Sequence, residues 1–343
     1  MTAIATPVIR TVPTAPVAAA APGAPRGESL RRRLLRAKHV YSTRFAAAHL
    51  ERAEQLELVT AGHTPAPGEL VLARVTEIGQ HKRLKSPASR RQVLFEGDEV
   101  LVAYGSRYAA DQFLAMIPGD LGPCHLAAAG GLASRVVDQH DRIDEATVIT
   151  PIGVVRGATG PLTLERPAPH TAGPRPTVCE GARVPVIVVL GTSMNSGKTT
   201  LLAQLAHGLA GAGLRGAAGK ATGTGAGNDR GLFVDAVAAR VPDFTDFGHS
   251  SAFGLSADRV RELFSGMVEE LASGGAVGGV GALSALDRTP LLVSGVLTAS
   301  PLATAETRRA LEVPVVPTLD LADPAEACEA VAAVLGARAR RAA

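Results

Sequence analysis

The stretch Val184-Pro185-Val186-Ile187-Val188-Val189-Leu190-Gly191-Thr192-Ser193-Met194-Asn195-Ser196-Gly197-Lys198-Thr199-Thr200 decides how this chain is read. Its first seven residues are a nearly pure β-branched run, the pattern of a strand buried on both faces. The run passes straight into a loop with glycines at 191 and 197. Leu201, Leu202, Leu205, Ala206 and Leu209 then recur at helical spacing until Gly211 and Gly213 end the helix. A strand, a glycine-bearing loop closing on Gly-Lys-Thr, and a helix together form the context of a phosphate-binding loop.

Each part has a physical task. Backbone N–H groups of the loop and of the helix N-terminus converge on phosphate oxygens, helped by the helix dipole. Gly197 lets the backbone come close. Lys198 brings a point charge to the terminal phosphates, and the Thr199 hydroxyl is placed to ligate Mg²⁺. Gly191, Thr192, Ser193, Met194, Asn195, Ser196, Gly197, Lys198, Thr199 and Thr200 are therefore assigned to the phosphate ligand.

A second strand, Arg215–Ala221, leads into Thr222-Gly223-Thr224-Gly225-Ala226-Gly227-Asn228-Asp229. Lys220 sits at the carboxyl end of that strand, the edge at which parallel sheets bind ligands. The glycine-rich segment after it is either a further anion nest or a surface loop. Asp243 and Asp246, three residues apart among apolar neighbours, are candidates for holding Mg²⁺ or activating a substrate, and equally for capping the next helix. His249 reads as an ordinary polar contact. The catalytic candidates are Lys198, Lys220, Asp243 and Asp246; the metal candidates are Thr199, Asp243 and Asp246.

Gly191 precedes Gly197 by six positions, so Thr192 takes the usual first-glycine place. This Gly-Thr-x-x-x-x-Gly-Lys-Thr form resembles the dethiobiotin synthetase-like branch of P-loop NTPases. It is also similar to the P-loop family that includes a D-glutamate N-acetyltransferase, whose members join an N-terminal domain to a C-terminal P-loop domain. The first resemblance implies that Lys220 helps bind phosphate and substrate, that the acceptor is a carboxylate or carbamate, and that the working form is a dimer. Two features depart from that pattern. Ser193 and Asn195 stand where those relatives carry an Asp in the loop, and Gly274–Leu283 holds no carboxylate where they carry a later acidic, glycine-rich strand end. Either Asp235, Asp243 or Asp246 replaces the missing acid, or hydrolytic chemistry is impaired. The next apolar run, Pro290–Leu297, ends only in hydroxyls at Thr298 and Ser300.

Outward from the loop, prolines and glycines between Arg166 and Arg183 mark a boundary. The division expected is a disordered tail at 1–28, an N-terminal α+β domain at 29–166, a linker at 167–183 and a P-loop domain at 184–343. The fold class is α/β: a C-terminal P-loop NTPase-type parallel sheet with helices on both faces, preceded by a smaller, β-rich N-terminal α+β domain. In that first domain Glu28–Leu58 reads as one long helix with a basic start, Arg31 to Lys38. Glu69–Ile78 and Gln92–Tyr104 read as strands, the latter turning at Gly97-Asp98. They suggest a compact barrel decorated by Cys124–Val137 and Thr147–Val155, with an exposed basic hairpin over Lys82–Arg91. At the far end Val313–Leu319 reads as a strand and Pro324–Leu335 as a closing helix.

Composition bounds the function. The 343 residues carry 35 basic and 32 acidic side chains, a balance too even to imply a polyanion partner. With 8 Phe, 3 Tyr and no Trp, stacked-ring surfaces for nucleic acid are not expected. Three dispersed cysteines form no disulfide framework or zinc pair and suit a reducing cytoplasm. No apolar run is long enough to cross a membrane. The expectation is a cytoplasmic homo-oligomer using ATP and Mg²⁺ to activate a small carboxylate- or hydroxyl-bearing substrate by phosphoryl transfer, as a kinase or ligase does. Adenine is favoured because no Asn-Lys-x-Asp guanine signature is present. Two alternatives stand beside it. One is a CoA-dependent N-acyltransferase that binds the coenzyme's phosphates in the same loop; the other is a nucleotide-switched regulator or metallochaperone.

Overall fold

The computed structural model of the chain describes residues 28–172, 186–189, 197–272, 277–281, 293–294, 318–319 and 329. In chain order its N-terminal elements are α1 (Leu30–Arg36), β1 (Lys38–His39), α2 (Ala46–Arg52), β2 (Glu57–Val59), β3 (Leu70–Glu77), β4 (Arg83–Lys85), β5 (Arg91–Val93), β6 (Glu99–Tyr104), β7 (Arg107–Tyr108), β8 (Phe113–Met116), β9 (Cys124–Ala128), β10 (Leu132–Gln139), β11 (Val148–Gly157) and β12 (Gly160–Pro161). The C-terminal ones are β13 (Val186–Val189), α3 (Lys198–Gly211), β14 (Gly216–Lys220), α4 (Asn228–Asp235), α5 (Ala257–Ala272), β15 (Val277–Gly281), β16 (Val293–Ser294) and β17 (Thr318–Leu319). Short 3₁₀ turns cover Tyr41–Thr43 and Phe244–Phe247.

The N-terminal region is sheet-rich. Strands pair in the order β6-β3-β11-β9-β10, and β10 pairs back onto β6, so the wall closes on itself as a barrel. Strand periodicity sorts side chains to the two surfaces of that wall. Val71, Ala73 and Val75 of β3 and Val100, Val102 and Tyr104 of β6 fill the interior with Leu126, Ile149 and Val154. Leu70 and Leu72, with Leu101 and Ala103, point outward and are covered by Leu34 of α1 and Ala46 and Leu50 of α2. Each of these fully buried Leu or Val side chains contributes about 1.5–3 kcal/mol. The sequence reading of a compact barrel agrees with this closure, but β9, β10 and β11 are wall strands and not decorations.

The long helix expected over Glu28–Leu58 is broken. It stops at Arg36; Lys38 and His39 then pair parallel with Val100 and Leu101 of β6. The cause is local chemistry that competes with the helix. The Thr43 hydroxyl accepts from Val40 N–H and donates to the Leu101 carbonyl, and the Ser42 hydroxyl donates to the Gly131 carbonyl. The basic start of α1 is not free-standing either: Arg33 makes a two-pronged pair with Glu99, and Lys38 binds Asp98.

In the C-terminal region β13, β15 and β14 form a parallel sheet in that order. Adjacent residues of β14 face opposite ways. Ala218 packs with Val189, Leu202 and Ala206 of the α3 side, whereas Ala217 packs with Leu263, Met267 and Leu271 of α5. Helices thus cover both faces of the described strands. β15, inside the stretch without a carboxylate, lies between β13 and β14. β16 and β17 pair parallel with each other. The expected tail and the closing helix at 324–335 fall, save single residues, outside the described residues. Of the expected linker, residues 167–172 are described: the His170 N–H bonds the Asp246 carbonyl at 3.1 Å and Ala172 joins the α5 cluster, so this part is packed against the C-terminal unit.

The two regions touch closely. A Cβ placed on Gly130, in the β9–β10 turn, would lie 1.5 Å from the Gly225 carbonyl oxygen. Gly130→Ala is expected to cost about 1–3 kcal/mol by forcing these backbones apart, visible as a lowered Tm; an unchanged Tm would mean the contact does not form in solution. Among the described residues no helix is long and apolar enough to cross a membrane.

Candidate functional site

Gly197 is the N-cap of α3 and sits in the left-handed region, φ +83°, which favours glycine. Lys198 is the first helical residue and so opens the positive end of the helix. Both it and Thr199 are half-buried, while Thr200 is exposed. Burial, and then the neighbouring charge of Lys220, hold the Lys198 ammonium below the ordinary lysine range. Two cations brought this close in a partly dry setting suit a polyanionic ligand. The other assigned loop residues, Gly191 to Ser196, lie outside the described residues.

Lys220 ends β14, and its ammonium is hydrogen-bonded to the Asp229 carboxylate in the first turn of α4. Gly223, at φ +138°, wraps over the lysine stem: a Cβ there would come within 2.8 Å of Lys220 Cε. The glycine-rich segment is therefore pinned and not a free loop. Gly225 N–H bonds the Ser250 carbonyl, Ala252 N–H bonds the Gly223 carbonyl, and Ser89 of the basic hairpin abuts Gly227.

The structure gives Asp243 and Asp246 the capping role that the sequence allowed. Asp243 is the N-cap of the 244–247 turn and accepts from the Thr245 N–H at 2.7 Å; Asp246 accepts from the Asp243 N–H at 2.8 Å. Further hydrogen bonds reach them from the barrel side and from α4. The Tyr41 hydroxyl donates to Asp243 Oδ2 at 2.6 Å, Arg44 to Asp246 Oδ1 at 2.6 Å, and Arg230 to Asp246 Oδ2 at 3.2 Å. Both carboxylates are buried. Of the roughly four lone-pair sites on each carboxylate, three are engaged, which leaves one on Asp243 Oδ2 and one on Asp246 Oδ1. Asp235 is exposed at the far end of α4. Among the described residues no three His, Cys, Asp or Glu side chains are grouped to hold a metal ion.

Sequence reading missed three members of this arrangement. Asp229 carried a detectable signal, an acid in the first turn of the helix following Lys220. Tyr41 and Arg44 carried none, because they arrive from about two hundred residues away. The lone described cysteine, Cys124, is buried in the barrel, and burial pushes its thiol up to about 12.

No family model, curated protein or solved structure matches this chain.

Proposed function

We propose that the chain is an ATP- and Mg²⁺-dependent enzyme that activates a small molecule by phosphoryl transfer. The observation supporting it is the left-handed Gly197 followed by Lys198 at the start of α3, with Lys220 alongside. Helix N–H groups and two ammoniums offer a triphosphate the dipoles and charges that phosphoryl transfer uses. When bound, Mg²⁺ would supply further neutralisation of the phosphate oxygens; the Thr199 hydroxyl would hold it, and the single lone-pair site left on Asp243 or Asp246 would have to serve beside the hydrogen bonds each carboxylate already accepts. Lys198 holds the terminal phosphate, and Lys220, positioned by Asp229, neutralises charge at the strand edge.

A second reading, acyl transfer from an acyl-CoA, gains from the engagement of both carboxylates by Tyr41, Arg44 and Arg230. A diphosphate can be bound at a helix N-terminus without a carboxylate-held metal. Calorimetric titration of ATP and acetyl-CoA, each with and without Mg²⁺, into wild type and Lys198→Ala separates the two. Mg²⁺-dependent ATP binding that the variant loses is the expected result. Metal-independent binding of acetyl-CoA alone would replace it with acyl transfer, and binding of neither ligand sinks both.

A further inference from the structure

Lys220 is held from two sides. On the backbone side, the run 239–243 lies parallel to β14 along the edge that β15 leaves open. Ala239 N–H bonds the Gly216 carbonyl at 2.8 Å, Ala218 N–H the Arg240 carbonyl at 3.0 Å and Lys220 N–H the Pro242 carbonyl at 3.2 Å. Asp243 ends this run as the parallel bridge partner of Lys220, at the carboxyl edge where such sheets bind ligands. On the side-chain side, the Asp229 carboxylate accepts from the Lys220 ammonium. Asp229 stands in the first turn of α4, the helix whose N-cap is Gly227 at φ +74°.

One residue of the N-terminal region reaches both supports. The Tyr41 hydroxyl donates to Asp243 Oδ2 at 2.6 Å. The Tyr41 ring fills the space beside Gly227, where a Cβ would lie 2.8 Å from its Cε2. Tyr41 is 1% exposed, and the Arg44 guanidinium stacks over its ring at 4.2 Å from the centroid. A ring so enclosed has no room to swing away, and its placement is passed on to what it touches.

We propose that Tyr41 is a positioning residue of the phosphate site, holding Lys220 in place through Asp243 and through the Gly227 cap of α4. This role rests on the reading above that Lys198 and Lys220 meet phosphate. The barrel side then completes a site whose ligand it does not touch through Tyr41.

The test uses the full chain, with inorganic tripolyphosphate and no Mg²⁺ so that the lysines are probed apart from any metal. NMR of the chain labelled with ¹³Cε-lysine reads Lys220 in the free protein, its signal identified by loss in Lys220→Met. Tyr41→Phe, which keeps the ring and loses the hydroxyl, should move the Lys220 signal and leave that of Lys82, paired with Asp144, in place. By calorimetry Tyr41→Phe should weaken tripolyphosphate binding about 3–10-fold. On top of Lys220→Met it should weaken binding no further, because it acts through that lysine. Val71→Ala, a loss of packing inside the barrel, should change neither readout. An unmoved Lys220 signal, or the same fold-loss with and without Lys220, would reduce Tyr41 to a structural contact and overturn the positioning role. If wild type does not bind tripolyphosphate, the phosphate reading fails, and the Lys220 signal alone decides whether Tyr41 holds that side chain. If Tyr41→Phe does not fold, wild type and Lys220→Met carrying 3-fluorotyrosine decide. Removing the lysine should shift the Tyr41 ¹⁹F signal, identified by elimination with Tyr104→Phe and Tyr108→Phe, and an unshifted signal would overturn the role.

Discussion

Arg44→Ala is expected to destabilise the protein by about 3 kcal/mol, the loss typical when one partner of a buried ion pair is removed. Arg44 is 9% exposed and its partner Asp246 7%. The guanidinium binds the Tyr41 carbonyl at 3.0 Å, the Thr245 hydroxyl at 2.5 Å and Asp246 at 2.6 Å, and it stacks on the rings of Tyr41 and Phe45. Its removal leaves Arg230, a more exposed and longer contact, as the cation facing Asp246 beside the Asp243 N–H, and opens the junction between barrel and sheet. Arg44→Lys should recover only part of the loss, because an ammonium cannot reproduce the planar fork. Tyr41→Phe should cost about 1–3 kcal/mol by leaving Asp243 Oδ2 without its donor. Urea unfolding of the single variants and of Arg44→Ala/Asp246→Ala would measure this. The double variant should lose clearly less than the sum of the singles, because the two side chains act as one unit. Simple additivity would show that the junction is incidental.

That junction also explains what the sequence conveyed and what it withheld. Elements whose cause is local were legible. The β-branched run around Val186–Val189, the helix that follows Gly197, and the alternation in β3 and β6 each follow from side-chain periodicity within a dozen residues. The turn at Gly97-Asp98 was legible because glycine supplies the positive φ there, +90°. Elements whose cause is distant were not. Lys38 and His39 sit in a helix-compatible stretch, and only β6, sixty residues on, makes them a strand. Asp243 and Asp246 look alike in sequence whether they await a metal or cap a turn. Tyr41 and Arg44, which the sequence reading placed mid-helix, are the distant partners that hold the two carboxylates at the turn.

Removing Lys198 should weaken triphosphate binding by on the order of 10–100-fold, the range for losing a charge-assisted contact. The more telling expectation concerns protons. In the free protein the Lys198 ammonium is held below the ordinary lysine value of 10.5 by burial and by Lys220. A bound polyanion favours the charged form, so binding raises that value again. Affinity is then level while the free protein already carries the proton. It falls as pH rises through the depressed value, and over that window each binding event takes up protons from solution. Calorimetry in buffers of different ionisation enthalpy, at pH values stepped up from neutral toward the ordinary lysine value of 10.5, reads the uptake directly. Lys220→Met separates the two roles of the second lysine. It removes a phosphate contact, which weakens binding, and it relieves the repulsion that depresses Lys198, which shrinks the proton uptake. Asp229 already neutralises part of the Lys220 charge, so the loss of affinity should be smaller than for Lys198→Ala. Equal proton uptake in wild type and Lys220→Met would mean that the two ammoniums do not sense each other, and that Lys220 is no part of the phosphate site.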